Sequence, residues 1–280
     1  MEDLFRESLC NLGTAVMHIK YHKFFSHNLG QDFEFKSYGA SGKPVLAFPT
    51  SCGRFFDYEN RGMIAALSEF IENGDIMVFA VDGRDGESWY KPVRDEWIGI
   101  RHGQYEACIT GEVIPFIRRA CNVSEKFMAT GNSFGAFHSA NFFLKHPDFF
   151  DSALCLSGVY HMQAELGGYF DPGIYFSEPL SYAPGLKDKV ALSKLREGYI
   201  VISHGLGAWE TFNDQARALA EIINSKDITC WYDRWGGGWP HDWETWIAQV
   251  KTYMPRFRDG VMFRGGTLKL IGPGRRINPL

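Results

Sequence analysis

The sequence predicts an α/β fold, a mostly parallel central sheet with helices on both faces. Three observations carry that expectation. Continuous apolar runs at 45–48, 76–81, 153–156 and 199–202 alternate with segments of helical period, the order that builds parallel strands joined by right-handed crossovers. Residues 126–138 read as a short buried strand, a tight turn and a helix. Between residues 161 and 197 the pattern lapses into aromatic, proline and glycine residues, an irregular insertion in an otherwise regular chain.

Taken in order, residues 1–17 suit a short outer helix. From 17 to 38 the sequence alternates, with Phe33 and Phe35 flanking Glu34, as an antiparallel pair would. Residues 45–48 (VLAF) are apolar throughout and stopped by Pro49, the mark of a strand buried on both faces. A loop of small residues follows, then Met63, Ile64, Leu67, Phe70 and Ile71 at helical spacing, closed by Asn73-Gly74. Another buried strand at 76–81 leads to a helix over about 96–119, in which Pro115 predicts a kink. After the helix that begins near Ser133, stopped by His146-Pro147, strands are expected at 153–158, 199–202 and 228–231, with helices around 212–223 and 243–254. The insertion at 161–197 is either a lid over a site or a structural excursion.

A chain of 280 residues, 45% of them hydrophobic, can bury one substantial core. A single domain over residues 1–260 is expected, with an extension at 261–280 that carries four glycines and no acid and is expected to be disordered or of no catalytic importance. A formal net charge of −4 provides no basic stripe, which argues against nucleic acid or an anionic membrane as partner and favours a small-molecule substrate. The six cysteines are scattered without a C-x-x-C pair or zinc-like spacing, so free thiols are expected, and no metal or other cofactor. An acidic N-terminus and the lack of a long apolar run point to a cytoplasmic protein. Nothing decides the oligomeric state, and a homo-oligomer stays open.

The chemistry centres on Gly131-Asn132-Ser133-Phe134-Gly135, a G-x-S-x-G pattern in which two glycines let the backbone fold sharply and expose one hydroxyl at the end of a strand. With 30 glycines in the chain the pattern alone arises easily by chance, so its strand and helix flanks matter. A serine hydroxyl needs a general base, and the base needs an orienting acid. His241 lies after the last strand and before the last helix, on a loop with three glycines; His204 and His138 are less well placed. The acid should follow the strand at 199–202, where Glu210 is first choice and Asp214 second; either also suits the start of a helix. Oxyanion donors are expected from the amide of Phe134 and from Ser51 or Cys52 in the loop after residue 48. Trp231, Trp235, Trp239, Trp243 and Trp246 crowd the sequence around His241, either as core packing or as a platform for a sugar or phenolic group.

Several stretches resemble the α/β-hydrolase superfamily, and within it the esterase family that includes esterase D and feruloyl-esterase-like proteins. They are residues 42–50, 62–64, Val81-Asp82 with 87–90, 131–135, 156–160, 205–210 and 241–243, in the same order over about residues 20–254. The resemblance implies an α/β-hydrolase fold, a Ser133–Glu210–His241 triad and hydrolysis of a carboxylic ester or thioester. One departure is Ala208, where related esterases often carry an aspartate. The rival readings are an acyltransferase with the same triad and a catalytically silent binding protein of this fold.

Overall fold

The computed structural model describes residues 17–264, 267–270 and 278–279. The helix expected over residues 1–17 falls almost wholly outside them, as does Cys10. The main sheet contains β1 (Ile19–Ser26), β2 (Gln31–Tyr38), β3 (Lys43–Phe48), β4 (Ile76–Val81), β5 (Phe127–Asn132), β6 (Phe150–Leu156), β7 (Tyr199–His204) and β8 (Thr229–Arg234). Their spatial order is β1-β2-β4-β3-β5-β6-β7-β8. β2 is antiparallel to both neighbours, and every other adjacent pair is parallel. This is the expected mostly parallel sheet, with the antiparallel pair at one edge.

Strand period decides which face each side chain serves. In β3, Leu46 and Phe48 join one core with Phe79, Phe127, Ala129 and Phe142. Val45 and Ala47 join the other, with Val78, Met128, Leu154 and Trp246. The first core is covered by α4 (Trp97–Cys108), α5 (Ile114–Cys121), α6 (Phe134–Lys145) and α10 (Asn213–Ser225); the second by the short α1 (Asp57–Asn60), α2 (Met63–Ala66) and α3 (Ser68–Glu72) and by α11 (Trp243–Asp259). An apolar run buried on both sides is what this double covering requires.

Four segments depart from expectation or refine it. The helical pattern at 63–71 is divided into turns at 63–66 and 68–72, with Leu67 as the hinge between them. Where a kink is expected at Pro115, the helix takes a π-helical turn, Ile109–Val113, that ends two residues before the proline. A proline ring clashes with the preceding turn and offers no N–H, and the wider turn re-registers the helix before it arrives.

The segment 161–197 is more ordered than its composition suggested. It holds two single-turn helices, α7 (Pro172–Tyr175) and α8 (Pro179–Tyr182), and a regular helix, α9 (Lys189–Glu197), capped by Asp188 through the Ala191 amide. Its first part packs Met162, Leu166 and Ile174 against Trp89, Ile98, Phe134 and Phe137. There Gly173 meets Gly99 of α4 so closely that a Cβ on Gly99 would lie 2.7 Å from the Gly173 Cα. The extension at 261–280 also carries regular structure, an antiparallel set of short strands, Val261–Arg264, Thr267–Leu270 and Asn278–Pro279.

Candidate active site

Six described residues other than glycine have positive φ, and four of them, Cys52, Ser133, Ser157 and Trp209, lie in the loops that follow β3, β5, β6 and β7. Such conformations cost about 1–3 kcal/mol each and persist where surrounding structure imposes them. They converge at the carboxyl ends of the parallel strands, where open α/β sheets form their crevice.

Ser133 sits between β5 and α6 with φ 55° and ψ −120°. Its amide donates to the Leu156 carbonyl at 2.8 Å. The flanking glycines are required by close approach: a Cβ on Gly131 would lie 2.2 Å from the Gly135 carbonyl carbon, and one on Gly135 would lie 2.4 Å from the Phe48 carbonyl oxygen. The second contact also presses α6 against the end of β3, which sets the loop carrying Ser51 and Cys52 beside the start of the helix.

Ser133 Oγ lies 2.9 Å from His241 Nε2, and His241 Nδ1 lies 3.4 Å from Glu210 Oε2. Glu210 Oε1 accepts from Ser157 Oγ and from the Gly205 amide at 3.1 Å. Burial opposes ionisation of Glu210, but the hydrogen bonds from His241, Ser157 and Gly205 together outweigh it and hold the carboxyl below the usual range. The carboxylate therefore stays charged, with one oxygen left for His241. Because it can only accept, Nδ1 carries the proton and Nε2 is the acceptor that faces the serine hydroxyl.

Backbone bonds set these distances. The His241 amide donates to the Ala208 carbonyl and the Gly207 amide to the Trp239 carbonyl, both at 2.9 Å, so the acid and histidine loops are laced together. Ala208 contributes its carbonyl; the carboxylate arrives two residues later, after Trp209 turns the chain at φ 66°. Trp246 meets the imidazole edge-on at a centroid distance of 5.1 Å. Asp242 caps α11 by accepting from Trp243, which fixes the residue after the histidine.

The other candidates lie elsewhere. Asp214 is exposed and pairs with Arg217. His204 is buried against Tyr232 and the Gly205 carbonyl. Of the five tryptophans, Trp243 and Trp246 pack on each other and Trp231 and Trp235 pack on Tyr253, which is core packing, while Trp239 is exposed. Phe134 is buried directly after Ser133, and its amide is in the first turn of α6, where helix geometry leaves N–H groups without intrahelical acceptors. Of the two loop candidates, Cys52 has its amide directed inward to Asp85 Oδ2 at 3.3 Å, whereas the Ser51 hydroxyl is 3.0 Å from Tyr90 OH at the surface. Burial first and the Asp85 charge second push the Cys52 thiol above its ordinary range, against a thiolate nucleophile there. Sequence reasoning missed Ser157 and Trp246 as supports of the acid and the base; a lone serine after a strand carries no signal that it will meet a carboxylate 53 residues on.

Among the described residues no group of histidine, cysteine and carboxylate side chains could hold a metal ion, and no helix is long and apolar enough to cross a membrane. None of the five described cysteines forms a disulfide.

Residues 59–257, 199 of the 280, match the protein family described as "Putative esterase". No curated protein matches the chain. Among solved structures, a ferulic acid esterase is similar with TM-score 0.69 at 14% identity, covering 86% of this chain and 97% of that one. An S-formylglutathione hydrolase from Agrobacterium tumefaciens follows with TM-score 0.64 at 15% identity, covering 86% and 94%. A fluorophosphonate-binding serine hydrolase of Staphylococcus aureus has TM-score 0.61 at 14% identity, covering 86% and 98%. At such identities the likeness is one of fold, and the fold is the α/β-hydrolase fold.

Proposed function

The chain belongs to the esterase family described as "Putative esterase", and from that premise we propose that it hydrolyses a carboxylic ester or thioester through an acyl-enzyme on Ser133. The observation that carries this reading is the 2.9 Å approach of Ser133 Oγ to His241 Nε2, with Glu210 behind the ring.

The serine O–H gives its proton to Nε2 as Oγ attacks the carbonyl carbon. The tetrahedral oxyanion is held by the Phe134 amide and an amide of the Ser51–Cys52 loop. Glu210 holds the Nδ1–H tautomer and favours the imidazolium. The imidazolium then protonates the leaving alkoxide or thiolate as the carbon–oxygen or carbon–sulfur bond breaks. Water, deprotonated by the same nitrogen, attacks the acyl-enzyme and releases the carboxylic acid. No cofactor enters these steps.

The test is release of p-nitrophenol from the acetate and butyrate esters, with intact-mass detection of a fluorophosphonate adduct, on wild type, Ser133→Ala, His241→Ala and Glu210→Ala. Turnover and an adduct at Ser133 in the wild type, with rates lowered by about 10⁴-fold or more in the serine and histidine variants, supports the reading. A folded wild type with neither turnover nor adduct refutes it.

A further inference from the structure

A second histidine–carboxylate pair lies behind the site. Asp85, in the turn after β4, and His138, five residues beyond Ser133 on α6, are both about 1% exposed, and His138 Nε2 is 2.8 Å from Asp85 Oδ1. The proposed reaction makes no use of either. His138 is stacked on His102 of α4 and lies edge-on to Phe134, at centroid distances of 5.6 and 5.1 Å.

The other oxygen of Asp85 explains the arrangement. Oδ2 accepts the Cys52 amide, and Cys52 is held at φ 54°, a conformation that needs an external constraint. The Asp85 carbonyl accepts the amides of Ser88 and Tyr90 at 3.1 and 2.9 Å, and Tyr90 OH is in turn 3.0 Å from Ser51 Oγ. Residue 85 thus holds the loop after β3 directly at the Cys52 amide and indirectly, through Tyr90, at Ser51, and is itself anchored on the helix that follows Ser133. Burying a carboxylate without partners costs several kcal/mol, so a pair this deeply buried has a defined geometry to keep.

We infer that Asp85, anchored by His138, is a positioning residue that aims the Ser51–Cys52 loop at the oxyanion formed on Ser133. By taking the Cys52 N–H inward, it leaves the Ser51 amide as the loop's donor. The inference rests on the esterase reading, because a loop aimed at an oxyanion matters only if one forms.

The test uses the full chain with Asp85→Asn, His138→Phe and His138→Gln, the last able to donate to Asp85 again. Two quantities are measured: amide hydrogen exchange of segment 49–54, and kcat and KM for p-nitrophenyl butyrate per site titrated with fluorophosphonate. In Asp85→Asn, exchange in the segment is expected to rise about tenfold or more, kcat per titrated site to fall by about 10²-fold, and KM to stay within about twofold. His138→Gln should lie closer to wild type than His138→Phe in both quantities, and this pair decides the matter if Asp85→Asn does not fold. Unchanged exchange overturns the inference. So does an unchanged kcat per titrated site accompanied only by fewer active sites or a lower Tm, the signature of a purely structural pair. If the wild type neither titrates nor turns over, the esterase reading has failed; the exchange result still decides whether Asp85 and His138 hold the loop.

Discussion

Ser157 and Glu210 meet across the ends of β6 and β7: the serine hydroxyl donates to Oε1, the oxygen that also accepts the Gly205 amide, and so leaves Oε2 for His241. The hydroxyl is brought there by another positive-φ turn, at 50°. A hydrogen bond to a charged group contributes about 1.5–3 kcal/mol, so Ser157→Ala should lower kcat/KM by about tenfold or more. Removing a donor that depresses the carboxyl also moves its titration upward, which ¹³C NMR of the Glu210 carboxyl would register.

Glu210→Gln should retain the fold and lose activity by about 10⁴-fold, because an amide at this place can turn its NH₂ to the imidazole and invert the tautomer. Kinetics at fixed pH, with circular dichroism as the control for folding, checks this outcome.

Trp246 supports the imidazole with its ring, and its indole N–H has no hydrogen-bond partner among the described residues. Truncation to alanine should cost about 3–5 kcal/mol. Phenylalanine keeps an apolar ring and removes an unpaired donor, so it should cost distinctly less. Urea denaturation of both variants compares them.

The nucleophile turn tolerates no side chain at Gly135, where a Cβ would stand 2.4 Å from a backbone oxygen. Gly135→Ala should lose about 1–3 kcal/mol of stability, at the upper end because the atom in the way is backbone, and surviving folded protein should label poorly with fluorophosphonate. Thermal melting and adduct mass measure the two effects.

Glu106 of α4 accepts from Lys145 and from His146 at the end of α6. Burial opposes its ionisation, but these partners pull its pKa from 4.5 down to about 2. Between those values the unfolded chain binds the proton and the folded chain does not, so the contribution is full above about pH 4.5 and disappears as pH falls toward about 2. The stability gap between wild type and Glu106→Gln should narrow across that window in denaturant titrations at successive pH values.

The sheet was legible because strands covered on both faces must be apolar throughout, as residues 45–48 and 76–81 are. The turn at Ser133 was legible because two glycines flank one serine at the spacing of a sharp strand-to-helix turn; Gly131 is forced by Gly135 within that turn, whereas the contact of Gly135 with Phe48 comes from far along the chain. Glu210 and His241 could be named from their places after late strands. The supports were not legible: Ser157, Trp246, Asp85 and His138 reach their partners across 53, 5, 53 and 53 residues, and only the 5-residue step, from His241 to Trp246, is close enough in sequence to suggest a contact. The helix at 189–197 was hidden by its weak apolar face, although Asp188 three residues before Ala191 was a usable capping signal. The π-helical turn before Pro115 had no signal beyond the proline itself.

The lacing of Gly207 to Trp239 and of Ala208 to His241 bears on how this scaffold could be re-engineered. Although some thirty residues and a whole helix separate the two loops in sequence, they form one cassette in space. A graft or deletion confined to one would leave the other's carbonyls and amides without their counterparts, so specificity redesign here has to exchange both segments together or neither.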